Sequence, residues 1–482
     1  MMRGARRVAV STALASLALP GLALVGPHRV AAQPGADPIY RLRVTLATTS
    51  SSESLYLSGP AWFLEGRTVA RTRRTGVGSS FGAFGGGPLR VWQPARPKHR
   101  WARAVFDVAL ISRGATRLHL TSVKGSRGKT VISVANRNLT TPVHIRTILH
   151  GRGGGTVRRF AIRTRAVAAR GPVTGTAPLP PMVLAHYYPW YKMQTWYETS
   201  FAPYNHNDHP YDSSDPTVIA RQIQQARAAG IDGFISSWWG AGSGTDKNLA
   251  ILWNSLPATG FKVAVSVNGF SSNFSTVGDW VRQLRYVLDT YGTRPQYLRV
   301  RGEPVIYLWA TFYVLRGEQG PYNPYYRSVW HRIFHRLRSA GYRFRAIGMY
   351  KDNPGDLSIF DGLRTYVTRT PGADAWIDRK MELISRAYAA IHGGHRRIWG
   401  SGIFPGYDDR QTDRTYPFYL PRNDGALYRA QWADAIGADS DQALVATFNE
   451  WHETTNIEPN RRWGDLYLGI TANRAAAFKA SR

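Results

Sequence analysis

Met182-Val183-Leu184-Ala185-His186-Tyr187-Tyr188-Pro189-Trp190-Tyr191 is the stretch whose pattern sets the fold of this chain. It enters as an apolar run of strand length and leaves through aromatic and polar side chains. A helical segment follows at 216–229, with Asp215 placed to cap its N-terminus and Gly230 to stop it. A second apolar run then spans 233–238. The alternation continues through 262–267, 304–309, 345–350, 358–366, 397–404 and 444–448, with 280–291 among the helical stretches between them. Eight such runs over about 300 residues predict a (β/α)8 barrel of the TIM type across 182–482. An open doubly wound sheet is the rival. Its usual Gly-rich first turn is not what Tyr188-Pro189-Trp190-Tyr191 offers.

Upstream the grammar is different. Residues 171–181 repeat Pro, Gly and Thr and read as a linker. Within 38–175, period-two alternation at 40–46, 101–110, 116–121, 130–134 and 157–162 predicts an all-β, sandwich-like N-terminal domain. The Gly-rich pieces 82–87 and 151–155 match no phosphate-binding pattern and read as loops. The first residues, Met1-Met2-Arg3-Gly4-Ala5-Arg6-Arg7, are basic. A mostly apolar run follows at 8–26, and Val30-Ala31-Ala32 supplies small residues before Gln33. That is the layout of a secretory signal peptide over 1–32, with an uncleaved anchor as the alternative; Pro20 and the small-residue exit favour cleavage. The expected location is outside the cell or at its envelope, and no later stretch is apolar enough to span a membrane.

Composition narrows the chemistry. Sixteen Trp and 25 Tyr suit stacking on sugar rings, or equally a large aromatic core. The net charge is +31, and 38–175 holds only Glu53, Glu65 and Asp107 against about two dozen Arg and Lys. Such a surface attracts an anionic partner, for instance an acidic envelope glycan. The competing readings are Arg-rich codon usage for the charge and a structural spacer for the domain. No zinc-finger spacing, RNP-type motif or dedicated basic helix points to nucleic acid. The absence of Cys excludes disulfides, thiolate metal sites and a Cys nucleophile.

A barrel of this kind works at the C-terminal ends of its strands. Here those ends carry His186-Tyr187-Tyr188-Pro189-Trp190, Ser236-Ser237-Trp238-Trp239, Asn268, Tyr307-Leu308-Trp309, Tyr350-Lys351-Asp352, Tyr366, Tyr407-Asp408-Asp409-Arg410 and Asn449-Glu450-Trp451-His452-Glu453. Clusters of one kind at successive ends predict a sugar-binding cleft. Glycoside hydrolysis uses two carboxyl groups flanking the bond. Glu450 and Glu453 would point to opposite faces of a strand, but share a face on a turn or first helical turn. Close carboxylates push each other's pKa apart, which suits one base and one acid. The alternative is a pair of surface acids at a helix N-terminus. His452-Glu453-Thr454-Thr455-Asn456 lacks the second His of a zinc-protease helix, and neither a nucleophile elbow nor a P-loop is present.

Tyr187-Tyr188-Pro189-Trp190-Tyr191, Gly230-Ile231-Asp232-Gly233 with Ser237-Trp238-Trp239-Gly240, Pro405-Gly406-Tyr407-Asp408-Asp409, and Phe448-Asn449-Glu450-Trp451-His452-Glu453 with Ile457-Glu458-Pro459 resemble glycoside hydrolase family 99, the endo-α-mannosidases, and its broader 71/99-like relatives. Arg422, Gly425, Tyr428 and Trp432 fall in the matching order. The resemblance spans about 182–472 and leaves out the N-terminal domain. It implies a barrel that cuts α-linked mannosides internally, with retention and without metal or other cofactor. It implies Glu450 as the base on the sugar 2-hydroxyl, acting through a 1,2-anhydro intermediate, and Glu453 as general acid and then base. It places Tyr187 or Tyr188, and Tyr366, around the reacting sugar. The expected substrate-binding set is Tyr187, Tyr188, Trp190, Trp238, Trp239, Asn268, Tyr307, Tyr366, Tyr407, Asp408, Asn449, Trp451 and His452. Two positions depart from the family. Asn268-Gly269-Phe270 stands where Glu-Pro-Tyr is usual, and Thr454-Thr455-Asn456 where Gly-Thr-Gln is usual. The identity of the sugar is therefore open. A non-catalytic carbohydrate-binding or envelope-associated protein on the same barrel is the reading from another class.

Overall fold

The computed structural model describes residues 39–49, 52–58, 61–72, 75–79, 89–92, 101–112, 117–124, 128–136, 144–151, 156–163, 179–198, 210–315, 322–351, 353–368, 373–412 and 414–481. The signal peptide, the loop at 82–87 and most of the linker and of the loop at 151–155 lie outside these residues.

The N-terminal region forms two five-stranded antiparallel sheets. One is ordered Ala61–Arg71, Ala102–Ser112, Ile39–Thr48, Gly128–Asn136, His144–Gly151; the other Thr156–Arg163, Arg117–Lys124, Ser52–Ser58, Leu89–Trp92, Gly76–Ser79. Val44, Leu46, Ala104, Phe106 and Val108 from the first, and Leu89 and Val91 from the second, are fully buried. Arg43 clasps Asp107 across the first sheet with two hydrogen bonds of 2.7 and 2.9 Å.

Beyond residue 181 the chain builds a closed barrel of eight parallel strands: β1 Met182–Tyr187, β2 Gly233–Trp238, β3 Lys262–Val267, β4 Glu303–Leu308, β5 Arg345–Met349, β6 Gly362–Arg364, β7 Ile398–Ile403 and β8 Gln442–Val445. Each pairs with the next, and β8 returns to β1. Among the described residues, seven helices of 11 or more residues cover it: α1 Pro216–Ala228, α2 Gly244–Asn254, α3 Val277–Thr290, α4 Tyr326–Ser339, α5 Ala373–His392, α6 Ala426–Gly437 and α7 Leu466–Ala480. Between β5 and β6 a 3-10 turn, Pro354–Ser358, stands in place of a helix. Asp215 caps α1 by accepting from Thr217 N at 2.8 Å, and Gly230 ends it with φ of 74°. The first N-terminal sheet lies against α5.

Strand parity divides the core in two. Val183, Ala185, Tyr187, Phe234, Trp238, Val263 and Val265 face outward into the layer between strands and helices. Leu184, Ile235, Ala264, Val305, Tyr307, Ile347, Ile398 and Leu444 fill the barrel interior. In the outer layer Asp246 is buried and fully engaged. It accepts from Trp238 Nε1 and Tyr291 OH at 2.7 Å each, from Gly242 N at 2.8 Å and from Tyr286 OH at 3.0 Å. Asp246→Ala strands these donors and is expected to cost about 3 kcal/mol. A thermal melt of the variant that overlays the wild type would contradict this.

Candidate active site

The inner series of each strand changes character towards its C-terminal end. Leu184 gives way to His186 and Tyr188, Ile235 to Ser237, Ala264 to Ser266 and Asn268, Tyr307 to Trp309, and Arg364 to Tyr366. His186, Tyr188, Ser237, Ser266, Asn268, Trp309 and Tyr366 line one pocket together with Glu450 and Glu453.

The two glutamates reach it from a turn. β8 ends at Val445, and residues 451–454 form consecutive turn positions, closed by Thr454 N to Trp451 O at 3.3 Å. The turn is held from several sides. Glu450 N donates to Thr447 Oγ1 at 2.7 Å. Asn449 grips the end of β1, accepting from Tyr188 N at 2.8 Å and donating to Tyr188 O at 3.1 Å. Buried Glu458 accepts from Gln222 Nε2 at 2.8 Å, Tyr211 OH at 2.9 Å and Trp451 Nε1 at 3.2 Å. Arg422 lies between the Trp463 and Tyr467 rings and donates to Thr454 O at 2.9 Å and Asn456 O at 2.8 Å. Thr454 takes φ of 49°, a left-handed conformation that a β-branched residue seldom adopts. Its hydroxyl donates to Asp408 O at 2.7 Å, and Asp408 N donates to Glu453 O at 2.9 Å.

The carboxylates have different surroundings. Glu450 Oε1 accepts from His452 N at 2.9 Å and lies 3.0 Å from His452 Nδ1. Tyr191 OH donates to the same oxygen at 3.4 Å. Glu453 is held by Arg414 Nη2 at 2.7 Å and, through Oε2, by Tyr366 OH at 3.4 Å. Burial raises the Glu453 pKa above the usual carboxylate value, Arg414 pulls it down, and Glu450 pushes it up again. Arg414 also binds Asp409 at 2.8 Å and the Tyr407 hydroxyl. Tyr188 and Tyr366 share a hydrogen bond of 2.8 Å. Burial pushes both phenols well above their normal pKa, helped by Glu450 and Glu453 at Tyr188 and by Tyr188 and then the two glutamates at Tyr366, so both stay protonated.

The structure separates the residues that the sequence singles out. Tyr188, Asn268, Tyr366, Glu450 and Glu453 line the pocket. Trp190 packs over Tyr188 with a centroid distance of 4.5 Å and edges onto Trp239 and His452 at 6.4 and 6.3 Å. Tyr187 faces the helices and donates to Gln222 at 2.7 Å, and Trp238 faces Asp246. Tyr307 sits deeper in the barrel and donates to Gln442 at 2.8 Å. Asn449 and Trp451 brace the turn from behind. Tyr407 and Asp408 border a separate cleft with Tyr419, Arg422 and Trp463, where Asp408 is paired with Arg410 at 2.8 Å. Tyr191 and Arg414, which touch the carboxylates, are absent from the set expected from sequence. Tyr191 does lie within the quoted opening stretch, whereas nothing in the sequence around Arg414 sets it apart from the other arginines. Among the described residues, no group of three or more His, Asp or Glu is placed to hold a metal ion.

Residues 198–463, more than half of the chain, match the model of glycosyl hydrolase family 99. The chain belongs to this family. It is similar to a glycoprotein endo-alpha-1,2-mannosidase-like protein of Danio rerio, 25% identical over 275 residues, which covers 54% of this chain and 60% of the relative. It is also similar to the glycoprotein endo-alpha-1,2-mannosidase of Mus musculus, 23% identical over 303 residues, 56% of this chain and 60% of the relative. The match thus spans about three fifths of the length of each of these two relatives. Among solved structures, a GH99 endo-alpha-mannosidase from Bacteriodes thetaiotaomicron aligns with a TM-score of 0.49 and 21% identity, over 63% of this chain and 99% of that one.

Arg414→Met gives a test of the electrostatics around this family 99 pocket. Arg414 lowers the Glu453 pKa, so its removal raises it. Glu453 then stays protonated to higher pH, and any activity that needs the protonated form keeps its alkaline limb to higher pH by about one unit or more. A limb that stays in place or moves to lower pH contradicts the assignment.

Proposed function

We propose that the chain is a secreted glycoside hydrolase that cuts α-linked mannosides, or a related polysaccharide, internally and with retention. Glu450 acts as the base on the 2-hydroxyl and Glu453 as general acid and then base. The observation that carries this reading is that two carboxylates line one pocket in unlike settings. Glu453 is buried with a raised pKa, as an acid requires, while Glu450 accepts from a backbone N–H.

In the first half-reaction Glu450 takes the 2-hydroxyl proton, O2 displaces the leaving oxygen at C1, and Glu453 gives that oxygen its proton. In the second, water attacks C1 of the 1,2-anhydro sugar and yields a proton to Glu453. The opening ring oxygen takes its proton back from Glu450. Two inversions at C1 give net retention. Family membership and the names of the similar mannosidases support the reaction class. The leader-like residues 1–32 support export, and the excess of Arg and Lys in 38–175 supports an encounter with anionic envelope glycan.

The test is a panel of α-mannans and α-glucans digested by the purified full chain, with the first-formed anomer read by NMR. Shorter oligosaccharides that appear first as the α-anomer are expected. No product from any glycan, or the β-anomer first, overturns the proposal.

A further inference from the structure

Arg364 ends β6 and points into the barrel beneath the pocket. It is completely buried, and none of its three guanidinium nitrogens has a hydrogen-bond partner among the described residues. Aromatic rings surround it: its Cζ is 5.5 Å from the Trp309 ring centroid and 5.8 Å from that of Tyr307. Gly400 leaves space on the facing strand, since a Cβ there would fall 3.2 Å from the Arg364 Cβ. The side chains that feel its charge are His186, Tyr188, Tyr307 and Tyr366, three of which line the pocket. Burial lowers its pKa to about 10, so it remains a cation at neutral pH.

A buried cation without a counter-ion is costly, and replacing it by an apolar side chain would relieve the fold. The nearby carboxylates are already engaged. Glu453 and Asp409 share Arg414, and Glu450 accepts from His452 and Tyr191. Burial, and then Arg364 itself, keeps His186 neutral, and its Nε2 has no partner; nor does Asn268 Oδ1. The pocket lining therefore offers uncommitted polar atoms on His186 and Asn268, and behind it Arg364 carries a positive charge that no hydrogen bond from the described residues answers.

We infer that the sugar unit seated in this pocket carries a carboxylate, as a uronic acid residue does, and that Arg364 supplies its counter-charge. The inference rests on the glycosidase reading of the pocket and narrows its substrate class.

Binding of D-mannose and D-mannuronate to the full chain tests it without any need for turnover. Saturation-transfer NMR should show mannuronate binding at least tenfold tighter. Arg364→Met should abolish that preference while keeping the melting temperature at or above the wild-type value, and Arg364→Lys should keep part of it. Equal affinity in the wild type overturns the inference whatever the variants do. So does a mannuronate preference that survives Arg364→Met, because that locates the binding on the basic surface elsewhere. If the preference depends on Arg364 but no glycan is cleaved, this inference stands and the hydrolase reading falls. Cleavage of neutral mannan at a rate untouched by Arg364→Met has the opposite meaning.

Discussion

Glu453→Gln is expected to lower kcat/KM on a natural glycan by about 10²–10⁴, the range that general acid catalysis contributes. The amide keeps the size of the side chain and can still accept from Arg414, so the pocket keeps its shape. It has no acidic proton for the departing oxygen. Arg414, already paired with Asp409, cannot serve instead because a guanidinium does not release its proton near neutral pH. If Glu453 is the acid as proposed, the alkaline limb of the pH profile should vanish in this variant. Steady-state kinetics across pH check both points, and unchanged turnover removes Glu453 from the role of acid.

Glu450→Gln is expected to be as damaging, about 10²–10⁴ in kcat/KM, for a different reason. The amide oxygen can still accept from His452 N, which keeps the turn in place. It cannot take the proton of the 2-hydroxyl, so O2 remains a poor nucleophile. This loss should not depend on the quality of the leaving group. The melting temperature should move little, which separates lost chemistry from lost folding. Near-normal kcat/KM in a folded Glu450→Gln variant would contradict the assignment.

The barrel was legible because its strands announce themselves as apolar runs between helices. Six of the eight runs end at different limits, two of them by more than one residue, for physical reasons. The run at 358–366 narrows to Gly362–Arg364, because Ile359 and Phe360 are apolar as the cover between β5 and β6 rather than as strand residues. The run at 444–448 moves back to Gln442–Val445. Gln442 is polar yet pairs inside the barrel with Tyr307, and Phe448 packs outward against Phe234. In the N-terminal region Ala61–Arg71 was not legible as a strand, since register shifts at Phe63/Glu65 and Thr68/Ala70 break the period of two.

The site was legible in its carboxylates and less so in its walls. Tyr187 and Trp238 sit at strand ends beside pocket residues, but one position out of phase they belong to the outer layer. Parity counted along each strand separates them from Tyr188 and Ser237. Tyr307 has the correct parity and lies one step too deep, with Trp309 above it at the pocket. Arg414 could not be read at all, because only the folded path of its loop brings it to Glu453.

The most direct test of the central claim, that Glu450 and Glu453 divide the work of base and acid, is the leaving-group dependence of kcat/KM. Aryl glycosides of the sugar that the glycan panel identifies should be compared for the wild type, Glu450→Gln and Glu453→Gln. A dinitrophenolate departs without a proton, so Glu453→Gln should approach the wild type on that substrate and fall progressively behind as the leaving group becomes more basic. Glu450→Gln should be slow on every member of the series. A Glu453→Gln variant that is equally impaired across the series, or a Glu450→Gln variant that recovers with activated leaving groups, would contradict the account.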